Sequence, residues 1–579
     1  MRAGHSSPLL RTIQDLSALS RLRCDAEETR LLALAAEVVA SHGITSDADL
    51  GPLVDGTSGV SGVDEAVLSR LRHLYDTGAW VILESSIVDL PADLRWLFES
   101  GAVSLTQLAQ LNATTGATAA ADLGDLLRNE TLRHLPAFGA AAEATIGHAL
   151  PRLRQAIPRL TLGRAVAVSE PVLAILRSFP GVEWAEPSGS VRRGQDTVGD
   201  IEIVVSFGGA PSGLFDAVMA AVPVSRCLHR SARRMYILVD STQVGIRVAE
   251  PSLAGATLLY LTGSHVHIDE LHARARRLGW TLSTYGLDRA DGHPPVGRTE
   301  KEVYEALSLQ WIPAEIRNGD DELRAAETGT LPTLIEQGDI RGDLHIHTDY
   351  SDGRDGVAAM VEAAVALGYD YIAITDHSPH SAASRNLSTD SVKRQADDIA
   401  DLRERYPQLA ILHGCEVDIL PDERLDFSDR ILEHFDIVLA SLHDAAGHDP
   451  ERLLRRYLMA MRHPLVAMVT HPTNRLVPWR PGYELDYEQL FAAAVETGTM
   501  VEVDGGPSHL DLDGVLARRA VLAGAMLAVD SDSHRAEALG RQMALGIQTA
   551  RRGWVEARHV MNTRSVQEIR ALIAGKRSR

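Results

Sequence analysis

Lysine is nearly missing from this chain: among 579 residues only Lys301, Lys393 and Lys576 carry an ε-amine, and arginine supplies almost all the positive charge. The lysine-free stretch from residue 1 to 300 excludes Schiff-base chemistry there by the usual route, because a guanidinium stays protonated and is a poor nucleophile. Cysteine is as scarce. Cys24, Cys227 and Cys415 lie far apart, which excludes a disulfide framework and a CxxC metal knot. There is no apolar run of 18 residues and no N-terminal signal, so the expected home is the cytoplasm, without a membrane partner. Net positive charge is missing too, at −21 overall. Residues 1–150 hold 10 basic against 19 acidic side chains and residues 151–320 hold 19 against 18, so neither is a basic nucleic-acid module. What is present is length and 45% hydrophobic residues, enough for three or four domains.

What stands out is "RGDLHIHTDYSDG" at 341–353. Two residues spaced by two on a strand point to one face, so His345 and His347 aim their imidazoles into one space, with Asp352 close behind. The pattern recurs in "YIAITDH", "LAILHGCEV", "IVLASLH", "LVAMVTH", "TMVEVDG" and "MLAVDSDSH". Each apolar run ends at an acidic residue or a histidine: His377, Glu416, His443, His471, Asp504, and the pair Asp532 and His534. Successive ends lie roughly 27 to 39 residues apart, the length of a strand, a helix and two loops. Seven such units imply a closed or nearly closed parallel barrel with its site at the C-terminal strand ends. Imidazole and carboxylate without thiolate favour Zn²⁺, Mn²⁺ or Fe²⁺. Nine candidates, His345, His347, Asp352, His377, Glu416, His443, His471, Asp532 and His534, suit two or three ions, with Glu416 or Asp532 able to bridge. Adjacent metals clamp the attacking and leaving oxygens of a phosphoryl group, so phosphoester hydrolysis is the natural chemistry.

These segments, with "GCEVDIL", "ASLHD" and "THPTNR", resemble the motifs of the polymerase and histidinol phosphatase (PHP) domain over about residues 335–575. The resemblance implies a distorted (β/α)7 barrel with a trinuclear site, all nine residues as ligands, and Arg475 in contact with substrate phosphate, a task its planar fork suits. His413, His434, His448, His463 and His509 fall outside the ligand pattern. Cys415 alternates with Glu416 and reads as a buried thiol facing away.

Upstream, "SGSVRRGQDTVGDIEIVV" at 188–205 offers a small-residue turn, Ser188, Gly189 and Ser190, able to cradle phosphate. Arg192 or Arg193 adds charge, and a strand carries Asp200 and Glu202 on one face. This resembles the nucleotidyltransferase palm of family X DNA polymerases, which binds a nucleotide and magnesium. "LLYLTGS", "STYGL" and "EVYEALSLQWIPAEIR" resemble that family's nucleotide-contacting turn and thumb. Together the resemblances imply a multidomain α/β chain of the bacterial family X type. Its parts would be a helical helix-hairpin-helix-like domain (1–150), a palm (151–250), a thumb (251–325) and a PHP barrel (335–579).

The departures fall in the front half. The third catalytic carboxylate of the family lies in a "VDLRV"-like strand, which here reads "VGIRV", with Gly245 in its place. Asp240 and Glu250 are each five positions away, on the opposite face of a continuous strand. Glu202 also replaces the usual aspartate. Losing one ligand of a two-metal site costs several kcal/mol of transition-state stabilisation, about a thousandfold or more in rate, so the palm reads as inactive or severely impaired. Gly245→Asp is the change expected to restore it. The hairpin-like stretches at 60–78 and 135–150 lack lysine, and Ala137 replaces a hairpin glycine. The segment between them, with "NATTGATAAADLGD" at 112–125, is shorter and less structured than the family's further hairpin, and a plain helical packing domain is as good a reading of 1–150 as DNA binding.

The leading reading is a DNA-repair phosphoesterase acting at DNA ends or gaps through its C-terminal domain, as 3′–5′ exonuclease, 3′-phosphatase or abasic-site nuclease. The other readings are a gap-filling DNA polymerase, a hydrolase of small phosphate esters, and a non-enzymatic scaffold around a structural metal.

Overall fold

The computed structural model describes residues 7–55, 62–88, 90–117, 119–136, 138–156, 159–289, 293–381, 385–443 and 449–578. The front of the chain is helical, from Pro8–Leu22 to Ala140–Ala156. Its helices start where side-chain acceptors meet free backbone N–H groups: Ser7, Asp25, Asp64 and Ser104 each cap one. The hairpin position Ala137, the residues at 60–61 and His448 lie outside the described residues. The stretch at 112–125, expected to be less structured than a hairpin, ends one helix at Thr115 and starts the helix Ala120–Arg128. Gly116 takes the left-handed conformation that closes the first of these helices.

Five strands follow: β1 (Val182–Pro187), β2 (Ile201–Phe207), β3 (Val224–Arg230), β4 (Arg234–Val239) and β5 (Thr242–Ala249). They form one sheet in the order β1-β2-β5-β4-β3, antiparallel except for the β2–β5 pair. Alternation gives each strand two faces. Ile201, Ile203 and Val205 join Val244, Ile246 and Val248 in a core under the helices Leu162–Ser178 and Pro211–Ala221. The opposite face carries Glu202, Gly245, Tyr236, Arg247 and Arg234 in one register. A smaller core around Leu259, Leu271, Tyr304 and Ile316 builds the next unit.

The C-terminal part holds β6 (Gly342–Asp343), β7 (Tyr371–Ile374), β8 (Ala410–Asp418), β9 (Ile437–Ser441), β10 (Val466–Val469), β11 (Met500–Asp504) and β12 (Leu527–Asp530), all parallel and in sequence order. The seam between first and last is joined by a parallel bridge Ile346–Ser533, and the His347 N–H donates to the Ser533 carbonyl at 2.9 Å. The seven-stranded parallel barrel is therefore nearly closed. Its strands are apolar on both faces because both are covered. Leu412, Leu439, Met468 and Met500 fill the lower interior, closed below by Ile569 and Ile573 of the terminal helix Val566–Arg577. Cys415, one residue out of phase, packs in the outer layer beneath the helices. The polar strand ends are left at the opposite mouth. No helix among the described residues is long and apolar enough to cross a membrane.

Candidate metal centre

Glu416 sits at the middle of the barrel mouth. It is fully buried, with His377 Nδ1 and His471 Nε2 each 2.8 Å from its oxygens, His345 at 3.5 Å, His347 at 3.6 Å and His443 at 3.8 Å. His345 Nε2 and His347 Nε2 face one another at 3.0 Å, with Asp532 Oδ1 3.2 Å from His347. Asp352 Oδ1 lies 3.2 Å from His534 and 3.6 Å from His377. Three groups of ligand atoms result: His345, His347 and Asp532; His377, Glu416 and His443; His347, Asp352, His377 and His534. The structure thus brings together all nine side chains that the strand ends single out.

Whether these groups suit cations is a question about their unsatisfied atoms. Buried polar atoms normally find hydrogen-bond partners. Here Glu416 Oε2, His377 Nδ1, His347 Nδ1 and His471 Nδ1 are buried without one. Protons cannot satisfy the set either. Burial opposes charge on the His345 imidazole, yet Glu502, Glu416 and Asp532 pull it well above the ordinary histidine range. His347, two residues along the chain, is pushed down to about 3 by burial and by His377 and His534. Glu416 lies well below the usual carboxylate range, burial being outweighed by His345 and His377. Imidazoles and carboxylates facing one another, their protons given up to a cation, are the donor set of a divalent cation cluster, and the residues fit one.

Backing carboxylates orient the ligands. Glu502 Oε1 lies 2.6 Å from His345 Nδ1, which turns Nε2 to the centre, and its other oxygen accepts the His471 backbone N–H at 2.6 Å. Asp418 does the same for His443, at 2.9 Å. Asp376 accepts from the Thr348 N–H and hydroxyl at 2.8 and 2.6 Å and from Gln395 at 2.6 Å, fixing the turn that leads to Asp352. Metal ligands held through such outer bonds keep tautomer and direction. Sequence reasoning left out these backing residues.

Two further side chains reach the mouth. Asp504, noted in the sequence only as a strand end, and His509, set outside the ligand pattern, form a fourth group with Asp532. The turn Gly505–Gly506 causes this: a Cβ at 505 would fall 2.1 Å from the Gln542 carbonyl and one at 506 2.9 Å from Asp504 Oδ1, so only glycines let the chain fold His509 back. His413 faces outward to Gln395, at 3.0 Å, and His463 pairs with Asp429 at 3.3 Å on the surface.

Arg475, expected at substrate phosphate, is engaged elsewhere. Its guanidinium donates to Asp196 at 2.7 Å, to the His509 carbonyl at 2.9 Å and to the Leu510 carbonyl. Asp196 is held from the other side by Arg552. The arginine therefore joins the barrel to the five-stranded unit.

The palm-like face is arranged differently. Glu202 stands in register with Gly245, and a Cβ at 245 would fall 2.0 Å from Glu202 Oε2 and 2.8 Å from the Tyr236 ring. The longer side chain thus occupies the space a carboxylate at 245 would need, and Gly245→Asp would require the Glu202 carboxylate and the Tyr236 ring to shift. Asp122, from the helix Ala120–Arg128, lies across this face, accepting from Arg234 at 2.6 Å and Arg247 at 2.8 Å, while Arg247 Nε lies 3.6 Å from Glu202. Ala92 N–H donates to Gln243 at 2.9 Å, and Asp93, pushed up to about 6 by burial, accepts the Ala120 N–H at 2.6 Å. Ser188 donates its hydroxyl to the Glu202 carbonyl at 3.1 Å and precedes the four-residue helix begun by Gly189 and Ser190 without capping it. Arg192 forks onto Glu300 at 2.6 and 2.9 Å, and Arg193 donates to the Thr262 carbonyl. Asp200 and Glu202 belong to no group of metal-competent side chains among the described residues.

Comparison with known proteins places these parts. Residues 257–318 match the DNA polymerase beta thumb and residues 343–491 the PHP domain. The chain is 29% identical over 524 residues to a DNA polymerase/3′-5′ exonuclease PolX of Bacillus subtilis (strain 168), covering 90% of this chain and 91% of that protein. It is 30% identical over 211 residues to a probable phosphatase of Thermoanaerobacter sp. (strain X514), covering 34% of this chain and 81% of the relative. A probable phosphatase of Syntrophotalea carbinolica is 31% identical over 167 residues, 28% of this chain and 64% of that one.

Proposed function

Because the chain belongs to the family X DNA polymerases that carry a C-terminal PHP domain, we propose that its working centre is the barrel and its reaction the hydrolysis of phosphoesters at DNA ends. The forms of that reaction are 3′–5′ exonuclease, 3′-phosphatase or abasic-site cleavage in repair. The observation that carries this reading is the buried ligand set around Glu416, with ring nitrogens facing one another and carboxylate oxygens left without partners. Two or three divalent cations of the zinc, manganese or iron class held there lower the pKa of water and draw charge from the phosphoryl oxygens. The protein's own part is orientation: Glu502 and Asp418 fix the tautomers of His345 and His443, and Asp376 holds the turn leading to Asp352. Palm catalysis is impaired in this reading, because Gly245 supplies no ligand and Asp122 with its two arginines covers the face.

A polynucleotide substrate is favoured by the hairpin Leu476–Arg480. Its base is held by Val477 N–H donating to Ser508 at 2.7 Å, next to His509, and Arg480 grips the Asn474 carbonyl at 2.8 Å. At its tip Trp479 is 84% exposed, a flat ring presented to solvent beside the mouth. Nucleobases stack on such rings without regard to sequence. Small phosphate esters are the second reading, favoured by the probable phosphatases among the relatives. The test is metal analysis of the purified protein, followed by assay on 3′-ended DNA, 3′-phosphorylated DNA and p-nitrophenyl phosphate. Faster turnover of DNA ends is expected; hydrolysis of the small ester alone would leave the second reading.

A further inference from the structure

Asp504 closes strand β11 and is fully buried. One of its oxygens accepts the Gly506 N–H; the other, Oδ2, has no hydrogen-bond partner. His509 returns over it, with Nδ1 3.3 Å from Oδ2, and this ring nitrogen also lacks a partner. An oxygen of Asp532 completes the group, every ligand atom lying within 4.8 Å of the others. A simple Asp–His ion pair would put the N–H on the carboxylate and satisfy both atoms. Here the two atoms are buried and at ion-pair distance but without hydrogen-bond geometry, the arrangement of ligands turned toward a common third body. The charges ask for a cation as well: Asp504 is buried with a single imidazole beside it, Asp532 being shared with His345 and His347, and an unpaired buried charge is expensive.

Resting on the reading of the barrel mouth as a metal centre, we propose that Asp504, His509 and Asp532 hold a further divalent cation, beside the ions held by the nine strand-end ligands and sharing Asp532 with them. Two carboxylates and one imidazole without thiolate suit a manganese- or zinc-type ion, and three protein ligands leave positions open to water or substrate oxygen. The ring of His509 lies 5.6 Å from that of His471, so this ion would sit on the side of the mouth from which the Trp479 hairpin projects.

The experiment is elemental analysis of full-length protein loaded with Mn²⁺ alone and stripped of weakly held ion, comparing wild type with Asp504→Asn and His509→Gln. Both variants are expected to hold about one equivalent less than wild type. His509 lies in a partly exposed turn, so His509→Gln preserves the strand even if Asp504→Asn disturbs it. Equal metal content in wild type and His509→Gln would overturn the site while leaving the barrel's metal centre standing. A wild-type chain that retains no tightly bound ion would overturn that centre, and this site with it. Anomalous scattering at the manganese edge should show a peak between Asp504 and His509 that His509→Gln removes.

Discussion

At the barrel mouth, buried carboxylates sit among imidazoles whose nitrogens face one another; on the five-stranded sheet, buried carboxylates sit against guanidiniums. The difference decides what each region can do. An imidazole that gives up its proton has a lone pair to offer an ion, and Glu416 and Asp532 are surrounded by six such rings. A guanidinium keeps its proton and has no acceptor, so Arg234 and Arg247 neutralise Asp122 for good, and the buried Glu202 beside them is left with nothing but Arg247 at 3.6 Å. Two acidic clusters of one chain thus reach opposite ends: one calls for an exchangeable cation, the other has built its cations into the sequence.

The comparison breaks most visibly at the barrel. His377→Ala removes a ligand shared by two of the groups and should lower hydrolysis of 3′-ended DNA by about a thousandfold or more, with the far-ultraviolet circular dichroism unchanged. Full activity in this variant would remove the metal reading. On the sheet the corresponding change is Asp122→Ala, which strands two guanidiniums in the joint. Breaking a buried pair from one side costs about 3–5 kcal/mol, so the N-terminal helices should unfold or undock at lower temperature by calorimetry. Cleavage of a small phosphomonoester by the barrel should be unaffected. Primer extension on gapped DNA should stay absent in this variant; extension that appears only in Asp122→Ala would mean the helix Ala120–Arg128 restrains a competent palm.

How much of this was legible in the sequence follows from distance along the chain. The barrel could be read because each strand ends in its own histidine or acid, so local alternation alone points Glu416 inward and Cys415 outward. His509 escaped because it lies beyond its strand in a turn, and nothing periodic marks a return made possible by Gly505 and Gly506. Arg475 sits in a motif that suggests phosphate, but its partner Asp196 is 279 residues upstream. Asp122 is 125 residues from Arg247, in a stretch rich in alanine and threonine that resembles a connection. The same holds for Gly245: the missing carboxylate is plain in the sequence, whereas the folding of Glu202 into the vacated space shows only in the β2–β5 register.

A smaller effect separates the two substrate readings. Trp479→Ala leaves every ligand in place and removes only the exposed ring. Stacking on an aromatic is worth about 1–3 kcal/mol per base, so kcat/KM on single-stranded 3′ ends should fall about tenfold or more while hydrolysis of p-nitrophenyl phosphate is unchanged. An equal fall on both substrates would mean that the hairpin shapes the mouth and does not hold DNA.

The smallest expected effect is a dependence on pH at the closed joint. Burial pushes the Glu202 carboxyl up to about 7, Arg247 opposing the shift while Asp200 and Asp122 add to it. A carboxyl whose folded value lies above its unfolded one binds its proton more tightly in the native state. Stability from this group is therefore greatest below the unfolded value near 4.5 and is lost as the pH rises toward 7, with no further change above. Glu202→Gln keeps the size of the side chain and removes the titration. The variant should match wild type in thermal stability near pH 4.5 and exceed it at pH 8 by on the order of 1–2 kcal/mol, a shift of a few degrees in Tm. A wild type that gains stability relative to Glu202→Gln between pH 5 and 8 would reverse the sign. It would mean that Glu202 is held ionised by Arg247, so that the joint is a balanced salt bridge instead of a carboxyl buried to fill the place beside Gly245.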